Sequence, residues 1–402
     1  MSKIFFHIDV NSAFLSWTAA KRLEDDPSLD LRLVPSIIGG DREKRHGIVL
    51  AKSIPAKKYG IETAEPIASA LRKCPSLLVE APDFHLYKKN SRALMEYLST
   101  VSPDIEQVSI DECYMDFTPI AHEFSSPATA ADIIRRTVLE MFGFTVNIGI
   151  SDKKVLAKMA SDFEKPDKTH TLFSHEIKEK MWPLPVSDLF MCGKSSVQAL
   201  YKLGILTIGD LATADPAIIH SHLKSHGDLL YQYANGIDDS VLVTEPEDAK
   251  GVGNSTTLRE DATTEKEAFD VLLRLAETVS MRLRKSGKFA GMVSVEIKYS
   301  TFQSVSHQTT LPSPSASEKV LYDTACRLFS DLWNGQPLRL LGIRTSKLCD
   351  QNEPMQMSIF DYEEEHNEIS QKQKLLEQTI DGIRQKYGDA AVIKGRYLNQ
   401  DD

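Results

Sequence analysis

Hydrophobic and polar positions alternate along this chain in two periods. Lys3-Ile4-Phe5-Phe6-His7-Ile8-Asp9 is an apolar, strand-like run that ends on an acid, and from Val10 to Arg22 the apolar positions recur at helical spacing behind Asn11 or Ser12 as a cap. A β-hairpin signature follows, Leu33 to Gly40 and Ile48 to Ala51 across the charged turn Asp41 to Gly47. The pattern then predicts a basic segment from Lys52 to Tyr59, a helix from Pro66 to Cys74, a strand from Leu77 to Ala81 and an amphipathic helix from Tyr87 to Ser102. After an acidic strand pair come a helix from Ala128 to Phe142, a strand from Phe144 to Ser151 and a lysine-bearing helix that Pro166 stops. This order predicts an α+β fold, a mixed sheet with helices on one face.

Further on, Pro185 to Asp210 reads as two short helices joined by a glycine-containing turn. The helix start at Gly193-Lys194 can offer N–H groups to a phosphate, and an ordinary αα-hairpin fits the same pattern. Residues 236 to 250 are polar and acidic, a linker. From Gly251 to Lys347 the order strand, helix, strand, strand, helix, strand predicts a second, smaller βαββαβ sheet, and Ile369 to Tyr387 is helix-like.

The candidate chemistry sits in Val108-Ser109-Ile110-Asp111-Glu112-Cys113-Tyr114-Met115-Asp116. Two adjacent carboxylates interrupt a β-prone run, where lost hydration must be replaced by a strong partner. A solvated turn is the commoner setting for an isolated Asp-Glu pair. Asp9, at a strand-to-helix junction, supplies a third hard oxygen donor, and such a set suits Mg²⁺ with substrate phosphates completing its shell. Strictly adjacent strand residues point to opposite faces, so both acids can reach one site only if the backbone bends locally.

Composition bounds the rest. At 402 residues with 42% hydrophobic, the chain can form several domains with real cores. Its five cysteines are scattered without a C-x-x-C pair, which indicates neither a zinc site nor a disulfide framework and fits a reducing cytoplasm. No apolar segment approaches a membrane span, so a soluble, unexported protein is expected. The net charge of −10 argues against a polyanionic partner at first sight. Residues 351 to 402 carry six Lys/Arg against eleven Asp/Glu, however, whereas Met281 to His307 holds Arg282, Arg284, Lys285, Lys288 and Lys298 against Glu296 alone, so a basic face can exist on an acidic protein.

Placed in order, several motifs resemble those of the Y-family (translesion) DNA polymerases, on the bacterial DNA polymerase IV branch. They are His7-Ile8-Asp9 with Phe14, Gly39-Gly40-Asp41, Ala56-Lys57-Lys58-Tyr59-Gly60, Ser109-Ile110-Asp111-Glu112, Gly149-Ile150-Ser151 with Lys154 to Ala157, Lys165-Pro166, and Leu203-Gly204-Ile205 with Thr207 to Leu211. The resemblance covers roughly residues 3 to 350 and implies a polymerase right hand: a mixed-sheet palm (1–30 and 76–167), small fingers (31–75) and a helical thumb (168–236). A linker (237–250), a separate little finger (251–350), and a tail with a clamp-binding motif (351–402) would follow.

It implies two Mg²⁺ ions on Asp9, Asp111 and Glu112, with the Val10 carbonyl as a further ligand. Asp111 would bridge both ions and Glu112 would hold the one at the primer end. Phe14 would be the steric gate beneath the nucleotide sugar, and Lys57 and Lys165 would contact the triphosphate. Gln356-Met357-Ser358-Ile359-Phe360 resembles the motif by which bacterial polymerases engage the sliding clamp, with Gln356, Ser358, Ile359 and Phe360 as anchors. The implied activity is template-directed extension of a primer by dNTPs in a monomer bound to primer-template DNA, without a membrane. A non-catalytic, clamp-binding adaptor would be expected to lose metal ligands, and all three acids remain; a nucleotidyl cyclase would leave the DNA-gripping parts unexplained. Ala13, Ile54, Lys57 and Met191 depart from the family pattern, the lysine lacking the bidentate fork of an arginine.

Overall fold

A computed structural model describes residues 3–40, 47–245, 248–351, 368–388 and 391–392. The chain divides into two compact units, the first ending at 246 and the second beginning at 247.

The first unit is built on β1 (Phe5–Val10), α1 (Ala13–Asp25), β2 (Ser36–Gly39), β3 (Val49–Lys52), α2 (Ile54–Lys57), α3 (Ile67–Lys73), β4 (Leu78–Glu80) and α4 (Phe84–Val101). These lead into β5 (Ile105–Gln107), β6 (Glu112–Asp116), α5 (Pro127–Phe142), β7 (Val146–Ser151), α6 (Lys154–Ser161) and β8 (Thr169–Thr171). The main sheet has the order β5-β6-β1-β7-β8, antiparallel except between β7 and β8. Alternation decides its two faces. Phe6, Ile8 and Val10 of β1, Cys113 and Met115 of β6, and Val146, Ile148 and Ile150 of β7 pack with Trp17 of α1, Leu94 and Leu98 of α4, and Ile134 and Val138 of α5. The intervening residues His7, Asp9, Glu112, Tyr114, Asn147, Gly149 and Ser151 therefore form the opposite, polar face.

That second face is covered as well. α6 lies against β7 and β1, so helices pack on both sides of the sheet and not on one as the pattern predicted. The reason is Gly149: a Cβ there would meet the Ala157 carbonyl oxygen at 2.0 Å and the Ser161 nitrogen at 2.4 Å. Only glycine allows so close an approach of helix to strand. The strand from Leu77 to Ala81, expected to join this sheet beyond a boundary at 75, instead gives β4, the parallel partner of β2 in a separate three-stranded sheet, β3-β2-β4. Short β8 has no period long enough to foretell.

α7 (Ile177–Lys180), α8 (Lys194–Lys202), α9 (Ile208–Thr213) and α10 (Pro216–Ala234) form a helical region whose Leu200, Ile208, Leu211 and Leu230 share a core with Val155, Leu156 and Met159 of α6. Gly193 caps α8 at the predicted point. Met191, where the family pattern has glycine, adopts φ 68. A side chain is carried there in the left-handed region.

The second unit has β9 (Gly251–Ala262), α11 (Glu265–Lys285), β10 (Lys288–Tyr299), β11 (Ser304–Ser315), α12 (Glu318–Leu332) and β12 (Leu338–Asp350), the βαββαβ order predicted, in an antiparallel sheet β11-β10-β12-β9. Val293, Val295 and Ile297 pack under Leu272, Leu275, Leu321 and Phe329 of the two helices. By register the open face carries rows of small and polar residues, Gln308–Ser294–Arg344–Gly253 and Ser306–Glu296–Gly342–Ser255.

A further helix, α13 (Glu368–Tyr387), docks on α11, where Arg284 is paired with Glu377 at 2.8 Å and Asp381 at 2.6 Å, and Arg384 with Glu277 at 2.9 Å. Lys288 is likewise paired with Asp248 and Asp350. The basic run from 281 to 307 is thus partly neutralised within its own unit and is not the free basic face its composition predicted.

Met191→Gly should remove the left-handed penalty, less the entropy glycine adds to the unfolded chain, and stabilise the protein by about 0.5–1 kcal/mol. Chemical denaturation would read this directly; an unchanged or lower stability would show that Met191 makes a compensating contact.

Candidate active site

Asp9 is the penultimate residue of the central strand β1, and the antiparallel register places it directly across from Glu112, the first residue of β6. Asp111 lies just before that strand, in a bend held by two interactions. Its carbonyl accepts from Val10 N–H at 3.0 Å, and the Ser109 hydroxyl donates to its Oδ1 at 2.7 Å. The bend supplies the local break that two adjacent acids need.

From the other side α6 and the turn that follows it bring cations. Lys158 Nζ lies 2.8 Å from Glu112 Oε2 and 3.5 Å from Asp9 Oδ2, and Lys165 Nζ lies 2.9 Å from both Asp9 Oδ1 and Asp162 Oδ1. Beneath them His7, 1% exposed, reaches Glu112 Oε2 through Nε2 at 3.3 Å and the Ser161 hydroxyl through Nδ1 at 2.8 Å.

These contacts set the protonation of the site. The hydrogen bond from His7, joined by Lys158, outweighs burial and pulls Glu112 down to about 2. Burial holds the His7 imidazole below its ordinary value, so it is neutral at neutral pH. Burial, reinforced by the charges of Asp9 and Glu112, pushes Asp111 above the usual carboxylate value. Burial would lower both lysines, but the surrounding acids hold Lys158 and Lys165 above their ordinary values.

Among the described residues, no three His, Cys, Asp or Glu side chains are gathered closely enough to ligate one ion as they stand. Lys158 and Lys165 stand between the carboxylates. The donor set nonetheless fits a hard divalent cation: all three side chains offer oxygen, and an added positive charge would relieve the repulsion that raises Asp111.

Phe14 lies at the seam between the main sheet and the three-stranded sheet, packing against the cores of both. Its ring stacks on Tyr87, with centroids 4.4 Å apart and planes at 7°, and meets Phe84 edge-on. Ala13, which replaces an aromatic in the family pattern, is buried in the main core, and Ile54 is exposed at the start of α2. Of the predicted residues, Asp9, Val10, Asp111, Glu112 and Lys165 come together. Lys57 does not: it is exposed on α2, and among the described residues no ion pair joins it to the carboxylates. Gln356, Ser358, Ile359 and Phe360 fall outside the described residues.

Sequence reasoning missed Lys158, His7 and Ser161. Lys158 follows Lys154 by one turn in a motif helix, and that spacing was the available signal.

The comparisons with known proteins bear on this geometry. Residues 8–162 match the model of the impB/mucB/samB family, and residues 249–359 match that of the impB/mucB/samB family C-terminal domain. DNA polymerase IV of Clostridium acetobutylicum is 44% identical over 402 residues, covering 100% of both chains. This chain belongs to that family. The family is that of the Y-family DNA polymerases, as the motifs implied. DNA polymerase IV 1 of Bacillus subtilis is 35% identical, covering 100% of this chain and 94% of the relative. The Y-family DNA polymerase chimera Dbh-Dpo4(243-245)-Dbh shares the fold, with a TM-score of 0.75, 20% identity, and coverage of 86% of this chain and 99% of that one. Among the described residues no helix is long and apolar enough to cross a membrane.

Two predictions follow from the packing and the charges. Gly149→Ala must push α6 off β7, an overpacking cost of about 1–3 kcal/mol, and should cut activity at least tenfold by displacing Lys158; single-turnover rates with a folded-fraction control would check it. Because Glu112 is depressed from 4.5 to about 2 in the folded chain, its stabilisation is complete above pH 4.5 and lost as pH falls toward 2. In urea titrations of metal-free protein, Glu112→Gln should lose less stability than the parent across that window; equal losses would refute the assignment.

Proposed function

We propose that the protein is a template-directed DNA polymerase of the translesion type, extending a primer 3′-OH with dNTPs and releasing pyrophosphate. The observation that carries this is the register that sets Asp9 opposite Glu112, with Asp111 bent into the same site.

Asp9, Asp111, Glu112 and the Val10 carbonyl would hold two Mg²⁺ ions. When bound, such ions lower the pKa of the attacking hydroxyl and offset the charge of the triphosphate and the leaving pyrophosphate. The chain's own residues do the rest. Lys165, at the rim of the carboxylate site, is positioned to take up triphosphate charge, and Lys158 can exchange its carboxylate partners for phosphate. Phe14, held flat by Tyr87, has no freedom to yield, so a ribose 2′-OH above it would clash while a deoxyribose would not. Lys57, exposed on α2, would be a second basic contact for the triphosphate.

In this reading the main sheet is the palm, the three-stranded layer the fingers, the α7–α10 region the thumb, and the second unit the little finger. The α8 N-terminus suits backbone phosphates. The open face of the second unit, with its glycines and serines, lets DNA approach close to main-chain amides, which favours sequence-independent contact. The clamp motif at 356–360 would tether the enzyme to the bacterial sliding clamp. A cytoplasmic monomer fits this work.

Primer extension tests the proposal: Asp111→Ala and Glu112→Ala should each reduce incorporation at least a thousandfold, and full activity in either would end the assignment. Phe14→Ala should admit ribonucleotides at least tenfold better than the parent; unchanged sugar discrimination would remove the gate. DNA affinity should fall steeply between low and moderate salt.

A further inference from the structure

His7 is a buried titratable group of the polar face, in direct contact with the carboxylate site, that the proposed reaction does not use. It is 1% exposed, its ring edge-to-face with Tyr114 at a centroid separation of 4.8 Å. Both ring nitrogens are engaged: Nε2 with Glu112 Oε2 at 3.3 Å, and Nδ1 with the Ser161 hydroxyl at 2.8 Å.

The chemistry of these partners fixes where the imidazole proton sits. A carboxylate can only accept, so Nε2 must carry a proton, whether the ring is neutral or charged. In the neutral ring Nδ1 is then a lone pair and needs a donor. The Ser161 hydroxyl is in place at 2.8 Å, its single proton shared between Nδ1 and the Lys158 carbonyl, to which it donates at 2.8 Å. Ser161 is itself immobile. It is fully buried at the end of α6, and the Asn147 side chain holds its carbonyl at 3.0 Å and that of Glu164 at 2.7 Å.

We propose that His7 is a positioning residue, through which the end of α6 fixes the orientation of the Glu112 carboxylate. Ser161 sets the ring, the ring sets Oε2, and Lys158 meets the same oxygen from above at 2.8 Å. One carboxylate oxygen is thereby committed to the protein. Glu112 then enters catalysis already oriented, without the loss of rotamer freedom that a solvated glutamate would bear. This inference rests on the polymerase reading and adds to it a reason for His7 in His7-Ile8-Asp9.

The test uses the full-length protein with His7→Leu, His7→Gln, Ser161→Ala and the His7→Leu/Ser161→Ala double variant. Three readouts separate positioning from bulk stability. ¹⁵N NMR of labelled histidine, with His7 assigned by its loss in His7→Gln, should show the Nε2–H form in the parent and a shifted Nδ1 resonance in Ser161→Ala. Mn²⁺ affinity, read by electron paramagnetic resonance on the complex with a dideoxy-terminated primer and dNTP, should fall about tenfold in His7→Leu and by less in Ser161→Ala. The rate kcat should fall with it while KM for dNTP holds.

His7→Gln, which keeps a donor for Glu112, should restore both to within about threefold of the parent. The double variant should be no worse than His7→Leu, because the two residues act in series. An Nδ1–H tautomer, parental Mn²⁺ affinity in His7→Leu, or additive losses would each overturn the proposal. Should His7→Leu fail to fold, the spectrum and Mn²⁺ affinity of Ser161→Ala decide the matter alone. A Glu112→Ala protein that extends primers normally would defeat the polymerase reading itself, an outcome distinct from any of these.

Discussion

Like charges cannot be crowded together without a counterweight, and this structure is arranged around that constraint. Asp9, Asp111 and Glu112 are drawn to one end of the central strands, where the charges of Asp9 and Glu112 raise the cost of ionising Asp111. Positive charge must come from the opposite side. α6 delivers it through Lys158, with Lys165 just beyond, and that delivery depends on the helix lying almost on β7. Gly149 makes the approach sterically possible. One residue without a side chain therefore underlies the electrostatics of the whole site.

The same arrangement explains why the site is tense without being unstable. Glu112 is satisfied by His7 and Lys158, whereas Asp111 has a single hydroxyl donor and an elevated pKa. The unequal treatment marks Asp111 as the acid with most to gain from an incoming divalent charge. The lysines that balance the acids can serve a triphosphate equally well, so binding would exchange ionic partners and leave no charge bare.

Much of this was legible in the sequence. Asp9 and Asp111-Glu112 stood out because acids break apolar strand runs, and period-2 and period-3.6 patterns foretold the long elements other than α10, including the βαββαβ order after Gly251. What escaped depends on register and tertiary approach, which local pattern does not encode. His7 and Ser161 meet across 154 residues of chain. The main sheet's second helical face required knowing that Gly149 opposes Ala157. β4 pairs with β2 because the chain turns back, and three residues carry no signal of that choice. The basic run from 281 to 307 misled because composition cannot reveal that Arg284 and Lys288 find acids within their own unit.

The most direct measurement is a crystal structure with primer-template, dNTP and a dideoxy-terminated primer in Mn²⁺, phased at the manganese edge. The account predicts anomalous density among Asp9, Asp111 and Glu112, with Lys158 turned from Glu112 toward phosphate while His7 keeps its hold on Oε2. Carboxylates still paired to Lys158 and Lys165, with no anomalous peak between them, would contradict it.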